Sequence, residues 1–191
     1  MPPTLRQLLT AVRVLLVLTV LLGIGYPLLI LGAAQLGLSH QAQGSLVADS
    51  SGRVVGSSLI GQSFAGDGWF QPRPSVSGYD ALSSGGSNKG PSDAALVATI
   101  EQRRQQIAAR DGIEADQVPA DALTSSASGL DPDISPAYAE SQVDRVARVR
   151  GLPAEQVRRL VEEHIEPRSW GFLGQPRVDV VELNLALREL S

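Results

Sequence analysis

The longest apolar run lies near the start of the chain. Val14 to Leu38 is 25 residues without a charge, and fifteen of them are Leu, Ile or Val. A helix of that length spans about 37 Å, enough to cross a hydrocarbon core about 30 Å thick. Each aliphatic residue favours insertion by roughly 0.3–0.6 kcal/mol, so residues 14–38 are expected to form a transmembrane helix. The rivals are a buried core helix, which rarely needs so long an uncharged stretch, and a cleaved signal peptide. Gly32-Ala33-Ala34 and the basic Arg6 and Arg13 suit the signal peptide, but its apolar region is usually only about 7–15 residues.

Beyond the run the pattern changes to short alternations and helical stripes. Leu46-Val47-Ala48 and Arg53-Val54-Val55 flank Asp49-Ser50-Ser51-Gly52, which predicts a β-hairpin. Residues 62–91 are dense in Gly, Ser, Pro and Asn, yet Trp69, Phe70 and Tyr79 fall among them. Disordered segments are poor in aromatics, so an ordered loop region is expected. A helix is predicted from Ser92-Asp93 to Arg110, ended by Gly112, with Leu96, Ile100, Arg103 and Ile107 at near-helical spacing. A second is expected from Ser135-Pro136 to Gly151, with Ala139, Val143, Val146 and Ala147 on one face. A third begins at Pro153, carries Val157, Leu160, Val161 and His164 on one stripe, and ends before Pro167. Arg177–Val181 reads as a short strand and Leu183–Leu190 as a helix. The expected fold class is α+β: one N-terminal transmembrane helix followed by a single mixed α/β domain.

Charge adds orientation. Residues 1–40 contain Arg6 and Arg13 and no acid, whereas the rest holds 14 basic side chains against 20 acids. The first basic residue past the run, apart from His40, is Arg53. The positive-inside rule therefore expects residues 1–13 in the cytoplasm, 14–38 in the bilayer and 39–191 in an extracytoplasmic domain. Gly23, Gly25 and Gly32 thin the span and Pro27 removes a backbone donor near its middle. Such residues suit a helix that packs against neighbouring membrane helices.

The mild acidity and eight aromatics lack the footprint of a nucleic-acid binder. Without cysteine there is no thiol nucleophile, and two histidines are too few for most zinc sites. Gly85-Gly86-Ser87-Asn88-Lys89-Gly90 has the wrong order for a phosphate loop, since Lys89 is followed by Gly-Pro rather than Ser/Thr and a helix. Ser128 with Asp131 and Asp133 invites comparison with a hydrolase or a cation site. The only imidazoles that could serve Ser128 are His40, at the membrane exit, and His164, on an apolar stripe. Paired carboxylates in a turn are usually Asx-turns or caps. Neither a catalytic residue nor a metal site is expected.

Several strings keep a definite order along the chain. They begin with Gly23-Ile24-Gly25-Tyr26-Pro27 in the span and continue with Gln41-Ala42-Gln43-Gly44-Ser45-Leu46. Gly56-Ser57-Ser58-Leu59-Ile60-Gly61-Gln62-Ser63-Phe64, Trp69-Phe70 and Arg73-Pro74-Ser75 follow. Next are Gly86-Ser87-Asn88 with Gly90-Pro91-Ser92, then Ser126-Ala127-Ser128-Gly129-Leu130-Asp131-Pro132, the most specific string. Gln142, Arg145-Val146-Ala147, Arg150-Gly151-Leu152 and Leu183-Asn184-Leu185-Ala186-Leu187 complete the series. Together, in this order, the strings resemble the KdpC family, the C subunit of the Kdp potassium-transporting ATPase. Asp133 stands where the family has His, Lys89 where Leu is usual, and Trp69 where Tyr is usual.

The resemblance implies a non-catalytic accessory subunit of a high-affinity, ATP-driven potassium import complex in the bacterial inner membrane. Its partners would be a potassium-channel-like subunit, a P-type ATPase subunit and a small membrane peptide, besides the lipid bilayer. ATP and potassium would be handled by the complex, with this chain binding no cofactor firmly. A role as catalytic chaperone, raising the ATPase subunit's affinity for ATP, is also implied. Gly23, Gly25, Tyr26, Pro27 and Gly32 are the expected docking residues in the membrane. The other matched positions are expected to be structural or interface residues: Gln41, Gly44, Ser45, Gly61, Gln62, Phe64, Arg73, Pro74, Ser87, Asn88, Gly90, Pro91, Ser128, Gly129, Leu130, Asp131, Pro132, Arg145 and Asn184. The competing readings are a membrane-anchored serine hydrolase built on Ser128 and an independent binding domain.

Overall fold

The structure is a computed structural model describing residues 2–190. It divides into two compact units, the first through Ser45 and the second from Leu46 onward.

The first unit is one apolar helix with a short appendix. Helix α1 (Pro3–Val20) runs through a wide π-helical turn, Leu21–Gly25, into α2 (Tyr26–Gly37). Pro3 occupies the first helical position, where its missing N–H costs nothing, and residues 4–13 are mostly good helix formers. Helix therefore begins well before the uncharged run, and Arg6 and Arg13 lie within α1. The wide turn sits where Pro27 demands it. Pro27 has no N–H to donate and its ring would crowd the carbonyl four residues earlier, so the ladder slips by one and Tyr26 N–H bonds Leu21 O. The helical stretch, Pro3–Gly37, has 35 residues and includes an 18-residue window of mean hydropathy 2.6, with none of its apolar side chains buried within the chain. It is long and apolar enough to cross a membrane. Helix α3 (Ser39–Ala42) and a turn at Gly44-Ser45 close the unit.

The second unit mixes helices with short strands. Strands β1 (Leu46–Ala48) and β2 (Val54–Ser57) pair antiparallel as the expected hairpin. Asp49 Oδ1 accepts the N–H groups of Ser51 and Arg53, and Gly52 takes the positive φ of the reversal. Residues 58–93 follow without regular structure. Helix α4 (Ala94–Asp111) is capped by the Asp93 carboxylate, which accepts from the N–H groups of Ala95 and Leu96, and it ends at Gly112 in the left-handed conformation. Helix α5 (Ala120–Leu123), strand β3 (Asp133–Ile134), helices α6 (Pro136–Ser141), α7 (Val143–Arg150) and α8 (Ala154–Glu163), strand β4 (Val178–Asp179) and helix α9 (Val180–Glu189) complete the domain. Strands β3 and β4 pair antiparallel, Asp133 opposite Asp179 and Ile134 opposite Val178.

Two expectations are corrected. The helix read as continuous from Ser135 to Gly151 is two, because the backbone leaves the regular spiral at Gln142, whose side chain binds a loop far away in sequence. The strand expected to reach Val181 stops at Asp179. The Asp179 carboxylate accepts the Glu182 N–H and so caps α9 directly behind the strand.

The core gathers Ile107, Leu123, Tyr138, Val143, Val146, Val157, Val161, Leu183 and Leu187 around Phe70, a loop residue with no exposed surface. Burying side chains of this kind stabilises by about 1.5–3 kcal/mol each. Phe70 explains why residues 62–91 are ordered: the loop delivers an aromatic to the centre of the helices.

Candidate functional site

The matched residues fall mainly on two seams that tie irregular chain to the helical core. The first holds residues 67–71. Arg145 on α7 is fully buried, and its guanidinium donates to the carbonyls of Asp67 and Trp69, the latter at 2.9 Å, to Gln142 Oε1 at 2.7 Å and to Asp111 Oδ1 at 2.6 Å. Gln142 in turn accepts from Gln71 N–H (2.7 Å) and donates to Gln71 O (3.1 Å). Asn184 on α9 does the same for Phe70, with both contacts at 2.9 Å. Two carboxamides thus supply the donor and acceptor that a neighbouring strand would have supplied. Arg150 donates to Gly68 O at 2.7 Å and stacks over the Trp69 ring, 4.0 Å from its centre. Phe64 lies 6.0 Å from Trp69, centre to centre.

Asp111 anchors this seam. It is buried at the end of α4, held by both Arg145 and a two-pronged contact from Arg110, while Arg110 also reaches Tyr138 Oη. Burial lowers the Arg145 pKa, and the hydrogen bond to Asp111 opposes that shift. Asp111, Arg110 and Tyr138 were not anticipated as site residues. One sequence signal existed: an acid in the last turn of a helix opposes the helix dipole, which needs a compensating partner.

The second seam is the string Ser126–Asp133. Its carbonyls receive loop donors: Gly61 N–H on Leu130 O, Gly85 N–H on Ser128 O, Ser84 Oγ on Ser128 O, and Ser75 Oγ on Gly129 O, at 2.7–3.0 Å. Pro132 O accepts from Val180 N–H. Arg73 pairs with Asp131 at 2.8 Å, and the Tyr79 hydroxyl donates to Arg73 O. Gly129 has φ 69°, and a Cβ there would meet Gly85 O at 2.9 Å. A Cβ on Gly61 would meet Asp131 O at 2.5 Å. Only glycine lets these strands of loop approach so closely.

The chemistry read into this string has other uses. Ser128 is exposed; its hydroxyl accepts Leu130 N–H at 3.1 Å and lies 3.4 Å from Ser126 Oγ, neither of which is a base. His164 contacts Leu160 O at 2.8 Å, and because a carbonyl only accepts, Nδ1 carries the proton. Asp131 Oδ1 accepts Asp133 N–H in an Asx-turn. Asp133 pairs with Arg177 at 3.2 Å. Its pKa is raised by burial, with Arg177 opposing and Asp131 adding to the shift. Asp179, facing it across the strands, is pushed up to about 7, first by burial.

Other predicted residues lie elsewhere. Ser87, Asn88, Gly90 and Pro91 are exposed, Asn88 in the left-handed region, where it supports the turn before α4. Gln62 reaches Val55 O at 3.2 Å, closing the hairpin side of the domain. Pro74 and Leu130 are half-buried beside the second seam. In the first unit, Gln41 lies on α3 and Gly44 and Ser45 form its closing turn, with Ser45 N–H on His40 O. Gly23 and Gly25 fall within the wide turn, Tyr26 and Pro27 open α2, and Gly32 lies inside it. A Cβ on Gly32 would touch nothing within 4 Å. Among the described residues, no three His, Asp or Glu side chains are grouped to hold a metal. The cavity beside Phe64, Trp69 and Arg188 holds about 200 Å³ and that beside Arg73 and Tyr79 about 230 Å³. Small-molecule sites usually hold about 300–1,000 Å³.

These features define a class: a small α+β domain carried behind one apolar helix of membrane-spanning length. Comparison with known proteins places the chain within it. A family model described as "KdpC: K+-transporting ATPase, c chain" matches residues 8–189. The potassium-transporting ATPase KdpC subunit of Gemmatimonas aurantiaca is 54% identical over 177 residues, 91% of this chain and 88% of that protein. That of Kineococcus radiotolerans is 50% identical over 189 residues (98% and 95%), and that of Acidobacterium capsulatum 48% over 188 (97% and 100%). The chain belongs to the KdpC family.

Proposed function

We propose that this chain is the accessory, non-catalytic subunit of an ATP-driven potassium import complex, joining a channel-like subunit, a P-type ATPase subunit and a small membrane peptide. The observation that carries the reading is the family match across nearly the whole chain. The geometry supports it, because Arg73, Asp131, Arg145 and Asn184 are engaged in bonds that hold the domain together. Such a domain offers a defined surface for docking. By the positive-inside rule residues 1–13 lie in the cytoplasm and the domain outside, against the channel-like subunit's entrance. ATP is on the other side of the membrane in that arrangement. Any effect of this chain on the ATPase subunit's affinity for ATP is then transmitted through the complex, not made by contact with nucleotide.

The span contributes more than an anchor in this reading. Neither Gly32 nor Gly23 is small because this chain crowds it: a Cβ at Gly23 would meet its nearest neighbour at an ordinary 3.8 Å. Their smallness leaves room for a neighbouring helix. The test is purification of the C-terminally tagged full chain from membranes of potassium-starved native cells, with potassium-stimulated ATPase activity measured on the eluate. Co-elution of a P-type ATPase and a channel-like protein is expected. Elution alone, under conditions that keep the pump intact, would refute the proposal. Replacing residues 14–38 by a poly-Leu span should keep membrane insertion and lose assembly; full pump activity with that span would refute the docking role of the glycines and Pro27.

A further inference from the structure

The cavity beside Arg73 and Tyr79 has a wall that the composition of the domain does not foreshadow. From residue 41 onward the chain carries 14 basic side chains against 20 acids. Yet this cavity is lined by Arg73, Arg103 and Arg110 and, among the described residues, by no acid. Arg103 and Arg110 lie on one face of α4, about 10 Å apart along its axis, with Ile107 between them. Asp131 answers Arg73, and Asp111 is shared by Arg110 and Arg145. Arg103 has no carboxylate within ion-pair distance among the described residues. Its Nη1 donates to two neutral groups, Leu123 O (3.0 Å) and Ser125 Oγ (3.4 Å). Positive charge at the cavity therefore exceeds negative. Donors are left over as well: Arg103 Nε and Nη2 and Arg110 Nη1 bond no atom of the described residues and are not sealed from solvent. Arg73 Nε is sealed and has no partner.

We propose that this cavity binds one phosphate-class oxyanion, free inorganic phosphate or the phosphodiester of a lipid headgroup, on Arg103 and Arg110 beside Arg73. The inference stands apart from the subunit reading above. Guanidiniums suit such a ligand, because their planar N–H groups meet two oxygens at once and keep their charge at any working pH. The cavity holds about 230 Å³. A water takes about 30 Å³, so there is room for one tetrahedral oxyanion and part of its water shell, but not for a ligand of cofactor size. Asp131 and Asp111 hold Arg73 and Arg110 in place, so most of the wall is organised before the anion arrives. Tyr79 and Tyr138 complete it. Burial raises the pKa of both, so neither hydroxyl ionises and repels an anion. A purely structural role accounts for Arg73, which ties the loop to Asp131, and for Arg110, which clamps Asp111. It leaves Arg103 overequipped. A neutral donor would serve Leu123 O at the end of α5 without adding a third positive charge to the wall.

The test uses the full chain in maltoside micelles. Phenylglyoxal modifies accessible arginines, and peptide mass spectrometry gives a rate for each. Inorganic phosphate at ten times its half-protecting concentration is expected to slow modification of Arg103 about tenfold. The exposed Arg148 on α7 should gain no protection, and chloride at matched ionic strength should protect neither. Phosphatidylglycerol added to the micelles separates the sources. Protection by phosphate without lipid assigns the free anion, and protection only with lipid assigns the headgroup; either supports the site. The protecting probe should also raise the unfolding temperature of the wild-type chain and of Arg148→Gln, and not that of Arg103→Gln. Where Arg103→Gln does not fold, the wild-type protection pattern decides; where Arg103 reacts too slowly to follow, the unfolding temperatures do. Equal slowing at Arg103 and Arg148, equal slowing by chloride, no protection by either probe, or a rise in unfolding temperature that survives Arg103→Gln would each overturn the inference.

Discussion

Residues 58–93 and the helices from α4 to α9 form one domain by different means. The helices are held by apolar side chains, each making many weak contacts that no single residue dominates. The loop has no ladder of its own and is held by a few directional bonds from Arg145, Gln142, Asn184 and the carbonyls of 126–133. Distributed packing fails gradually. Point attachment fails at one bond, because a buried backbone group that loses its partner costs about 1–3 kcal/mol.

The comparison is tested most severely at Arg145. Arg145→Met keeps the side-chain bulk but removes the guanidinium donor from Asp67 O, leaves Trp69 O with only the longer contact from Gln71 Nε2 at 3.4 Å, and leaves Asp111 with Arg110 alone. A loss of about 3–5 kcal/mol is expected, as for other broken buried pairs, measured by denaturant unfolding of the full chain in detergent. A loss under about 1 kcal/mol would mean the loop is held by something other than this seam.

Asp179 probes the helical half, where a buried acid with no cationic partner among the described residues works against stability at high pH. Its carboxyl is pushed up to about 7 by burial. The unfolded chain gives up that proton near the ordinary value of about 3.9, so the contribution is full below that pH and is lost as pH rises through about 7. Asp179→Asn keeps an N-cap acceptor for Glu182 N–H and should gain about 2–4 kcal/mol at pH 8 and nothing at pH 3.5. A variant whose stability keeps the wild-type pH dependence would show that this carboxyl does not set it. Asp133→His, the residue expected from the family, should lower the Asp179 pKa by replacing the facing acid.

Adjacent residues of α9 separate the two means of attachment. Leu183→Ala opens a cavity in the helical core, and Asn184→Leu unpairs both backbone groups of Phe70; each should cost about 2–4 kcal/mol. The distinction lies in protease nicking between residues 62 and 75, which should rise at low denaturant for Asn184→Leu and not for Leu183→Ala. Equal nicking in both would erase the contrast drawn here. The smallest effect belongs to Ser128→Ala, where an exposed hydroxyl is lost and thermal unfolding should change by no more than about 1 kcal/mol.

What could be read from sequence followed the same division. The hairpin at 46–57, the capped start of α4 and its stop at Gly112 are each written in neighbouring residues, so the local pattern suffices. The order of 62–91 was legible from its aromatics, but not its cause, since Phe70 is fixed by Asn184, 114 positions away. Arg145 lies within an apolar helix face whose periodicity does not reveal that it binds the carbonyls of 67 and 69. The break at Gln142 was invisible for the same reason: its side chain answers to Gln71, not to its helical neighbours. Among the matched residues, the resemblance located Arg73, Gly129, Asp131, Arg145 and Asn184, while only the three-dimensional arrangement gave them partners.

The wide turn at Leu21–Gly25 has a consequence for phase. An α-helix repeats its faces every 3.6 residues, and a turn closed from Tyr26 back to Leu21 carries one residue more than the ladder allows. Positions after Gly25 are therefore rotated by about one residue, roughly 100°, against the register set by α1. A stripe traced by regular spacing through Leu16 and Val20 does not continue straight up α2 but steps around it. The two halves of the span can then address different neighbours at different depths, and deleting or inserting one residue near Gly25 would turn one half against the other without shortening the apolar run appreciably.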